Sequence, residues 1–77
     1  MLFYNMEHEL TIDELKIAFV NNTQVIFTKQ YDEYEVKKSG IIDKIDDFDI
    51  NDYIIYVKIE PKIFYKVIFS GARFYIK

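Results

Sequence analysis

From Thr23 to the C-terminus, short apolar segments alternate with polar breaks that cannot hold a crossover helix. Parallel strands need a connection of about a dozen residues or more. Even the longest polar break, Asp46–Asp52, falls well short of that length. Neighbouring strands must therefore pair in antiparallel fashion. Period-two alternation and β-branched or aromatic composition predict the strands Thr23–Gln30, Tyr34–Lys38, Gly40–Ile45, Tyr53–Glu60, Lys62–Phe69 and Arg73–Ile76.

Two Ser-Gly pairs predict turns within this strand region. Ser39-Gly40 separates the second and third predicted strands, and Ser70-Gly71 separates the last two. Glycine tolerates the positive φ angles that tight turns require. We therefore expect a hairpin around each pair.

One amphipathic helix precedes the strands. Thr11 and Glu14 have the spacing of a capping box, in which each side chain accepts a hydrogen bond from the other residue's backbone N–H. Leu10 and Leu15 flank this box at the positions of a hydrophobic staple. The pattern predicts a helix from Ile12 to Val20, with an apolar stripe made by Ile12, Leu15, Ala18 and Phe19.

These elements predict one α+β domain that covers all 77 residues. One N-terminal helix is followed by a five- or six-strand antiparallel meander. The sheet either curls into a small SH3-like barrel or stays open with the helix across one face. The barrel is favoured, because short strands in an open sheet leave edges exposed.

The residues that usually carry catalysis are scarce or wrongly spaced. The chain has no cysteine and one histidine, and His8-Glu9 begins like a zinc HExxH motif whose second histidine position is Ile12. No glycine-framed nucleophile elbow surrounds Ser39 or Ser70. The two glycines form no phosphate-binding loop. We therefore predict a protein that is not an enzyme, without catalytic residues, metal or cofactor.

The N-terminal apolar run is too short for a signal sequence and lacks a basic region before it. No run approaches the length of a membrane span. We therefore expect a cytoplasmic protein. Residues with AT-rich codons, such as Ile, Lys, Asn, Phe and Tyr, dominate the chain, whereas Gly, Pro and Arg are scarce. This bias predicts an AT-rich genome, such as that of a low-GC bacterium or of its phages and mobile elements.

The acidic stretch Asp46–Asp52 resembles the start of a calcium-binding loop, because Asp47, Asp49 and Asn51 alternate. Such a loop needs glycine at its sixth position and glutamate at its twelfth. Here those positions hold Asp52 and Lys58. Strand-like alternation explains the pattern instead and predicts that the intervening side chains point inward, namely Phe48 and Ile50.

Charge and aromatic content indicate a surface for a protein partner. Residues 1–53 hold twelve acids and five lysines, a net of −7, whereas residues 54–77 hold five basic groups and Glu60, a net of +4. An acidic partner surface is predicted at Asp43, Asp46, Asp47, Asp49 and Asp52, and solubility alone is the competing explanation. An aromatic partner surface is predicted at Tyr31, Tyr34, Tyr53, Tyr56 and Tyr65, unless a barrel buries both faces of its strands.

We hypothesise an interaction module that binds a host protein or a second copy of itself. In the phage or mobile-element setting, its acids would inhibit the host protein by occupying a basic nucleic-acid-binding groove. The alternative is a small β-barrel that binds RNA or DNA through residues 62–77, where basic and aromatic residues interleave. That surface would contain Lys62, Lys66, Arg73 and Tyr75. Alternation along Lys62–Phe69 places Phe64, Lys66 and Ile68 together on one face of the strand.

Overall fold

The computed structural model describes residues 8–77. Residues 1–7, which contain the apolar run considered above as a signal sequence, lie outside the described residues. The α+β class is confirmed, because one helix accompanies a five-stranded antiparallel sheet. Within residues 8–77 no helix is long and apolar enough to cross a membrane. The elements are α1 Ile12–Val20, β1 Gln24–Gln30, β2 Glu35–Asp47, β3 Tyr53–Glu60, β4 Ile63–Ile68, the 3-10 turn η1 Phe69–Gly71, and β5 Arg73–Ile76.

Helix α1 has its predicted bounds, and the capping box forms as predicted. The Glu14 N–H donates to Thr11 Oγ1 at 3.2 Å, and the Thr11 N–H donates to Glu14 Oε1 at 2.9 Å. The Thr11 N–H is the main reason why the pKa of Glu14 is lowered, and His8, at 2.8 Å from the same carboxylate, adds to that effect. Leu15 and Ala18 are buried on the side of the helix that faces the sheet.

Strand β2 is shared by the two halves of the sheet, whose strand order is β4-β3-β2-β1-β5. Its first half pairs with β1 as far as Gln24↔Ile41, and its second half pairs with β3 from Ile41↔Lys58 onward. The turn predicted at Ser39-Gly40 is therefore wrong, since one strand runs through it. Gly40 has no positive φ, and a Cβ at this position would collide with the Lys58 carbonyl oxygen. Glycine is needed here for the close approach of β3, a role that glycine also has inside strands.

Strands β4 and β5 lie at opposite edges of the sheet, so the hairpin predicted for them is also wrong. β4 pairs with β3, whereas β5 pairs with β1 through residues such as Phe27↔Phe74. Ser70-Gly71 belongs to η1, which carries the chain from one edge to the other. The sequence predicted a hairpin because a Ser-Gly pair between two short strands is a common turn signal.

The sheet is strongly curled, although it is not closed. The Phe27 ring lies 5.7 Å from the Tyr65 ring of β4 and 5.9 Å from the Phe74 ring of β5, measured between centroids. In a flat sheet three strand spacings of about 4.8 Å would separate β1 from β4. Only curling brings Phe27 and Tyr65 into contact. The strands at the two edges do not pair with each other, so the SH3-like barrel is not confirmed.

The inner face of the curled sheet and α1 enclose one core. The predicted alternation of β3 is correct, because Ile55 and Val57 are fully buried whereas Ile54 and Tyr56 lie on the outer face. The buried cluster contains Leu10, Leu15, Ala18, Val25, Phe27, Ile42, Ile55, Val57, Val67 and Phe74.

The acidic stretch forms a turn between β2 and β3. Asp49 and Asn51 have φ angles of 57° and 60°, which break strand alternation. Phe48 and Ile50 were predicted to point inward, and this is wrong, because they are 41% and 85% exposed. The Phe48 N–H instead donates to the Asp52 carbonyl oxygen at 3.0 Å and closes the turn.

Candidate binding surface

The predicted acidic surface is largely engaged within the chain. Asp46 Oδ2 lies 3.3 Å from Lys44 Nζ, and Asp49 Oδ1 accepts a hydrogen bond from the backbone N–H of the next residue at 2.8 Å. Such an Asp contact stabilises a turn locally. Of the five predicted acids, the side chains of Asp43 and Asp47 are exposed and make no hydrogen bond or ion pair within residues 8–77. Three of the five acids, Asp46, Asp49 and Asp52, therefore contact other groups of the chain.

Asp52 connects two parts of the fold that are distant in sequence. Its Oδ2 accepts a hydrogen bond from the Ser70 hydroxyl at 2.6 Å, and its Oδ1 accepts from the backbone N–H groups of Ser70 and Tyr53 at 3.1 and 2.8 Å. The Ser70 hydroxyl is the main reason why the pKa of Asp52 is lowered, and the two N–H groups lower it further. The carboxylate therefore holds η1 against the start of β3.

Within residues 8–77, no three histidine, cysteine or acidic side chains converge to hold a metal ion. The acidic stretch, with its calcium-like spacing, forms the β2–β3 turn. Two carboxylates of this stretch accept hydrogen bonds from the chain itself, Asp49 from the Ile50 N–H and Asp52 from the Ser70 hydroxyl.

The five tyrosines of the predicted aromatic surface lie in three separate places. Tyr31 and Tyr34 stack at the β1–β2 connection, with ring centroids 5.0 Å apart. Tyr53 and Tyr65 pack against the core on the inner face. Tyr56 lies on the outer face. They do not form one continuous patch.

The residues of the predicted nucleic-acid surface are divided between the two edges of the sheet. Lys62 occupies the β3–β4 turn with a φ of 70°, and Lys66 lies on the outer face of β4. Arg73 and Tyr75 lie on β5 at the opposite edge, and Tyr75 is only 6% exposed. A surface across a β4–β5 hairpin therefore does not exist.

A different surface forms on the outer face of β2, β3 and β4. Cross-strand pairing places Lys44, Tyr56 and Lys66 in one row, since residues directly opposite each other share a face. Lys58 and Phe64 form a pair on one side of this row. We call this surface the lysine–aromatic face, and its members are Lys44, Asp46, Ile54, Tyr56, Lys58, Phe64, Lys66 and Ile68.

The lysine–aromatic face combines exposed apolar area with free positive charge. Phe64 is 49% exposed and Ile68 is 38% exposed. Lys44 lies 4.8 Å from the centre of the Tyr56 ring, and Asp46 partly neutralises it. Among the described residues, Lys58 and Lys66 have no carboxylate partner. Three lysines minus one aspartate leave the face positive, although the whole chain has a net charge of −3.

The sequence contained part of the signal for this surface. Alternation correctly placed Phe64, Lys66 and Ile68 together on one face of β4. The surface was placed across a β4–β5 hairpin, however, and that pair does not exist. Pairing of β4 with β3, which the predicted meander also contains, puts Tyr56 and Lys58 beside these residues.

No family model, curated protein or solved structure matches the chain. The function must therefore be inferred from the geometry and chemistry of the lysine–aromatic face.

Proposed function

We propose that this chain is a non-enzymatic protein-binding module and that the lysine–aromatic face is its binding surface. The observation that carries this proposal is the exposure of Phe64 and Ile68 beside Lys58 and Lys66 on the outer face of the sheet. Contiguous apolar area with a polar border is typical of surfaces that bind proteins. Aromatic residues are also enriched at such interfaces.

The core on the inner face supports this role. Ile55 and Val57 of β3 and Val67 of β4 are buried in the core on the inner face. Their packing stabilises the two strands that present the surface. A pre-organised surface loses little conformational entropy when it binds. The face therefore needs no folding step before it meets a partner. We also propose that the partner is a host protein and that the chain belongs to a phage or mobile element. Codon usage is the observation that supports this setting.

Nucleic-acid binding is the second candidate, and one observation favours it. Tyr56 and Phe64 lie beside Lys58 and Lys66, and sheets that bind single strands combine aromatic rings with basic residues in this way. Against nucleic-acid binding, the face also contains the aliphatic residues Ile54 and Ile68 and the acidic residue Asp46. Aliphatic side chains do not stack on bases as rings do, and Lys44 already contacts Asp46. A protein partner fits this mixture better.

An SH3-like barrel is the finer description of the fold that we propose. The contact between Phe27 and Tyr65 supports it, because that contact requires β1 and β4 to curl toward each other. The strand order, in which β5 returns to pair with β1, also supports it. An experimental structure that shows a flat sheet would contradict this description.

A pull-down from lysate of the encoding organism tests the proposed function. The tagged protein is compared with the double variant Phe64→Ser, Lys66→Glu, in samples with and without nuclease. Tyr34→Ser is the matched control, since Tyr34 is another exposed aromatic residue, 60% exposed, outside the face. We expect a stoichiometric protein that survives nuclease, binds the wild type and the control, and is lost from the double variant.

Two results would contradict the proposal. Retention of the partner by the double variant would place the binding surface elsewhere. The second result is a partner that the wild type retains only in samples without nuclease and that the double variant does not bind. This result would favour the nucleic-acid function.

A further inference from the structure

The two edges of the sheet differ in whether their backbone groups have partners. At the β5 edge, the Leu10 N–H donates to the Phe74 carbonyl oxygen at 2.7 Å, so part of that edge is covered by the chain itself. At the β4 edge, the described residues make no such bond. Every second residue of an antiparallel edge strand points its N–H and C=O away from its neighbour. β4 is therefore able to accept another strand.

The side chains of β4 do not prevent such pairing. Edge strands are commonly protected by proline, by a bulge or by several charges. Ile63–Ile68 contains no proline, and its single charge is Lys66. The register shift of this strand pair, between Lys58 and Glu60, places its extra residue in β3 and not in β4. Phe64 and Ile68 lie on the same face, two residues to either side of that lysine.

We infer that β4 binds an extended acidic segment of a partner protein as an additional strand of the sheet. The segment places an acidic side chain opposite Lys66 and apolar side chains opposite Phe64 and Ile68. Backbone hydrogen bonds supply binding along the edge, and the alternate side chains supply specificity. This inference rests on the proposed function and names the chemical class of its partner.

Charge decides between this partner and a second copy of the chain. Lys66 has no carboxylate partner among the described residues, and opposite charges across a strand pair are favourable. Pairing of β4 with β4 of another copy supplies no acid, because β4 contains none. A nucleic acid supplies negative charge but no peptide groups for the edge. An acidic peptide satisfies both requirements.

Defined peptides test this inference. We would titrate ¹⁵N-labelled protein with the capped peptide Thr-Val-Thr-Glu-Thr-Val-Thr and with the same peptide carrying Lys in place of Glu. We expect the amide signals of β4 to shift and those of β5 to stay, with binding of the Glu peptide about fivefold tighter. The variant Lys66→Glu should reverse this preference by a similar factor. Equal binding of both peptides, or an unchanged preference in the variant, would overturn the inference.

Peptide methylation separates strand addition from simple charge attraction. Only alternate N–H groups of an added strand face β4. N-methylation of one alternate set should abolish binding, whereas N-methylation of the other set should leave it. Equal effects of the two sets would reject an added strand.

Sedimentation of the free protein and titration with a deoxythymidine oligomer complete the test. A dimer whose β4 amides are already protected, or β4 shifts with the oligomer alone, would overturn the inference in favour of those occupants. If the Glu peptide fails while the lysate partner still depends on Phe64 and Lys66, only the strand inference falls. If both fail, the proposed function falls with it.

Discussion

The edges formed by β4 and β5 show two ways in which a small open sheet can end. β5 has four residues, buries Phe74 and Tyr75, and receives the Leu10 N–H at its outward side. β4 has six residues and exposes Ile63 and Phe64. Unpaired edges invite pairing with other chains, and proteins usually cover or shorten them. Within residues 8–77 one edge is partly covered and the other is left open, which is why we assign binding to β4.

The largest expected contrast comes from removing a phenylalanine ring at each edge. Phe74→Ala should lower the free energy of unfolding by about 3–5 kcal/mol, because a fully buried ring leaves a cavity beside Phe27 and Phe69. Phe64→Ala should change it by only about 0.5 kcal/mol, since this residue is at the surface. Urea unfolding measures both values. Similar losses for the two variants would show that β4 is packed and not free.

Strand β2, which is central in the sheet, should lose stability when Gly40 is substituted. Gly40→Ala should cost about 1–3 kcal/mol, because the added methyl group meets the Lys58 backbone and cannot be accommodated without a shift of β3. Gly71→Ala is the matched control. There the new Cβ meets only the flexible Lys29 Nζ at 3.2 Å, so we expect a change within about 0.5 kcal/mol. Thermal unfolding would compare the two, and a harmless Gly40→Ala would refute the close approach of β3.

The capping box stabilises the helix that directly follows the segment covering β5. Thr11→Ala removes the side-chain acceptor of the Glu14 N–H and should cost about 1 kcal/mol. His8→Ala leaves both capping hydrogen bonds intact and serves as the control. Urea unfolding gives the free energies, and hydrogen exchange of the Leu10 amide reports whether the cover of β5 loosens. Equal losses from the two variants would assign the effect to the His8–Glu14 contact.

The contact between Asp52 and η1, the turn after β4, should make the stability of the fold decrease in acid. The folded protein lowers the pKa of Asp52 below its ordinary value of 3.8, so the ionised carboxylate stabilises the fold. That contribution is complete above pH 3.8 and is lost as the pH falls through the lower folded-state pKa. Asp52→Asn should therefore reduce the loss of stability in acid, and Ser70→Ala should also reduce it.

Unfolding curves at a series of pH values would test this prediction. The lowered pKa of Glu14 contributes in the same direction, so neither variant should remove the acid response completely. A wild-type pH profile that both variants leave unchanged would contradict the role of Asp52.

The smallest effects are expected from the charges on the two edges. Arg73 Nε lies 4.0 Å from Glu9 Oε1, and both side chains are largely exposed, so Arg73→Glu should change stability by at most about 0.5 kcal/mol. Lys66→Glu should have an equally small effect on unfolding, because Lys66 has no carboxylate partner within residues 8–77. Unfolding curves at low and high salt would check both. A large loss from Lys66→Glu would mean that Lys66 has a structural role, and its effect on binding would then need a different variant.

Features set by neighbours in sequence were predictable. The capping box of Thr11 and Glu14 depends on residues three apart, and the alternation of β3 depends on residues two apart. Both were assigned with correct bounds. The outward position of Phe64 and Lys66 on β4 was predictable for the same reason.

Features set by distant parts of the chain were not predictable. Gly40 appeared to be a turn residue, because nothing local indicates the close approach of β3. Ser70 appeared to belong to a hairpin turn, whereas it lies in η1 and bonds to Asp52, which is 18 residues earlier in the chain. The predicted meander paired β4 with both β3 and β5. Local alternation does not reveal that β5 pairs with β1 instead, which leaves β4 at an edge.

Because β2 belongs to both halves of the sheet, it should make their unfolding cooperative. β1 holds one end of this 13-residue strand and β3 holds the other. Releasing either neighbour frees the backbone on which the opposite half depends. We therefore expect the central amides of β1 and β3 to exchange hydrogen with solvent only through global opening. The outward amides of β4 should exchange earlier and mark the first part of the molecule to open.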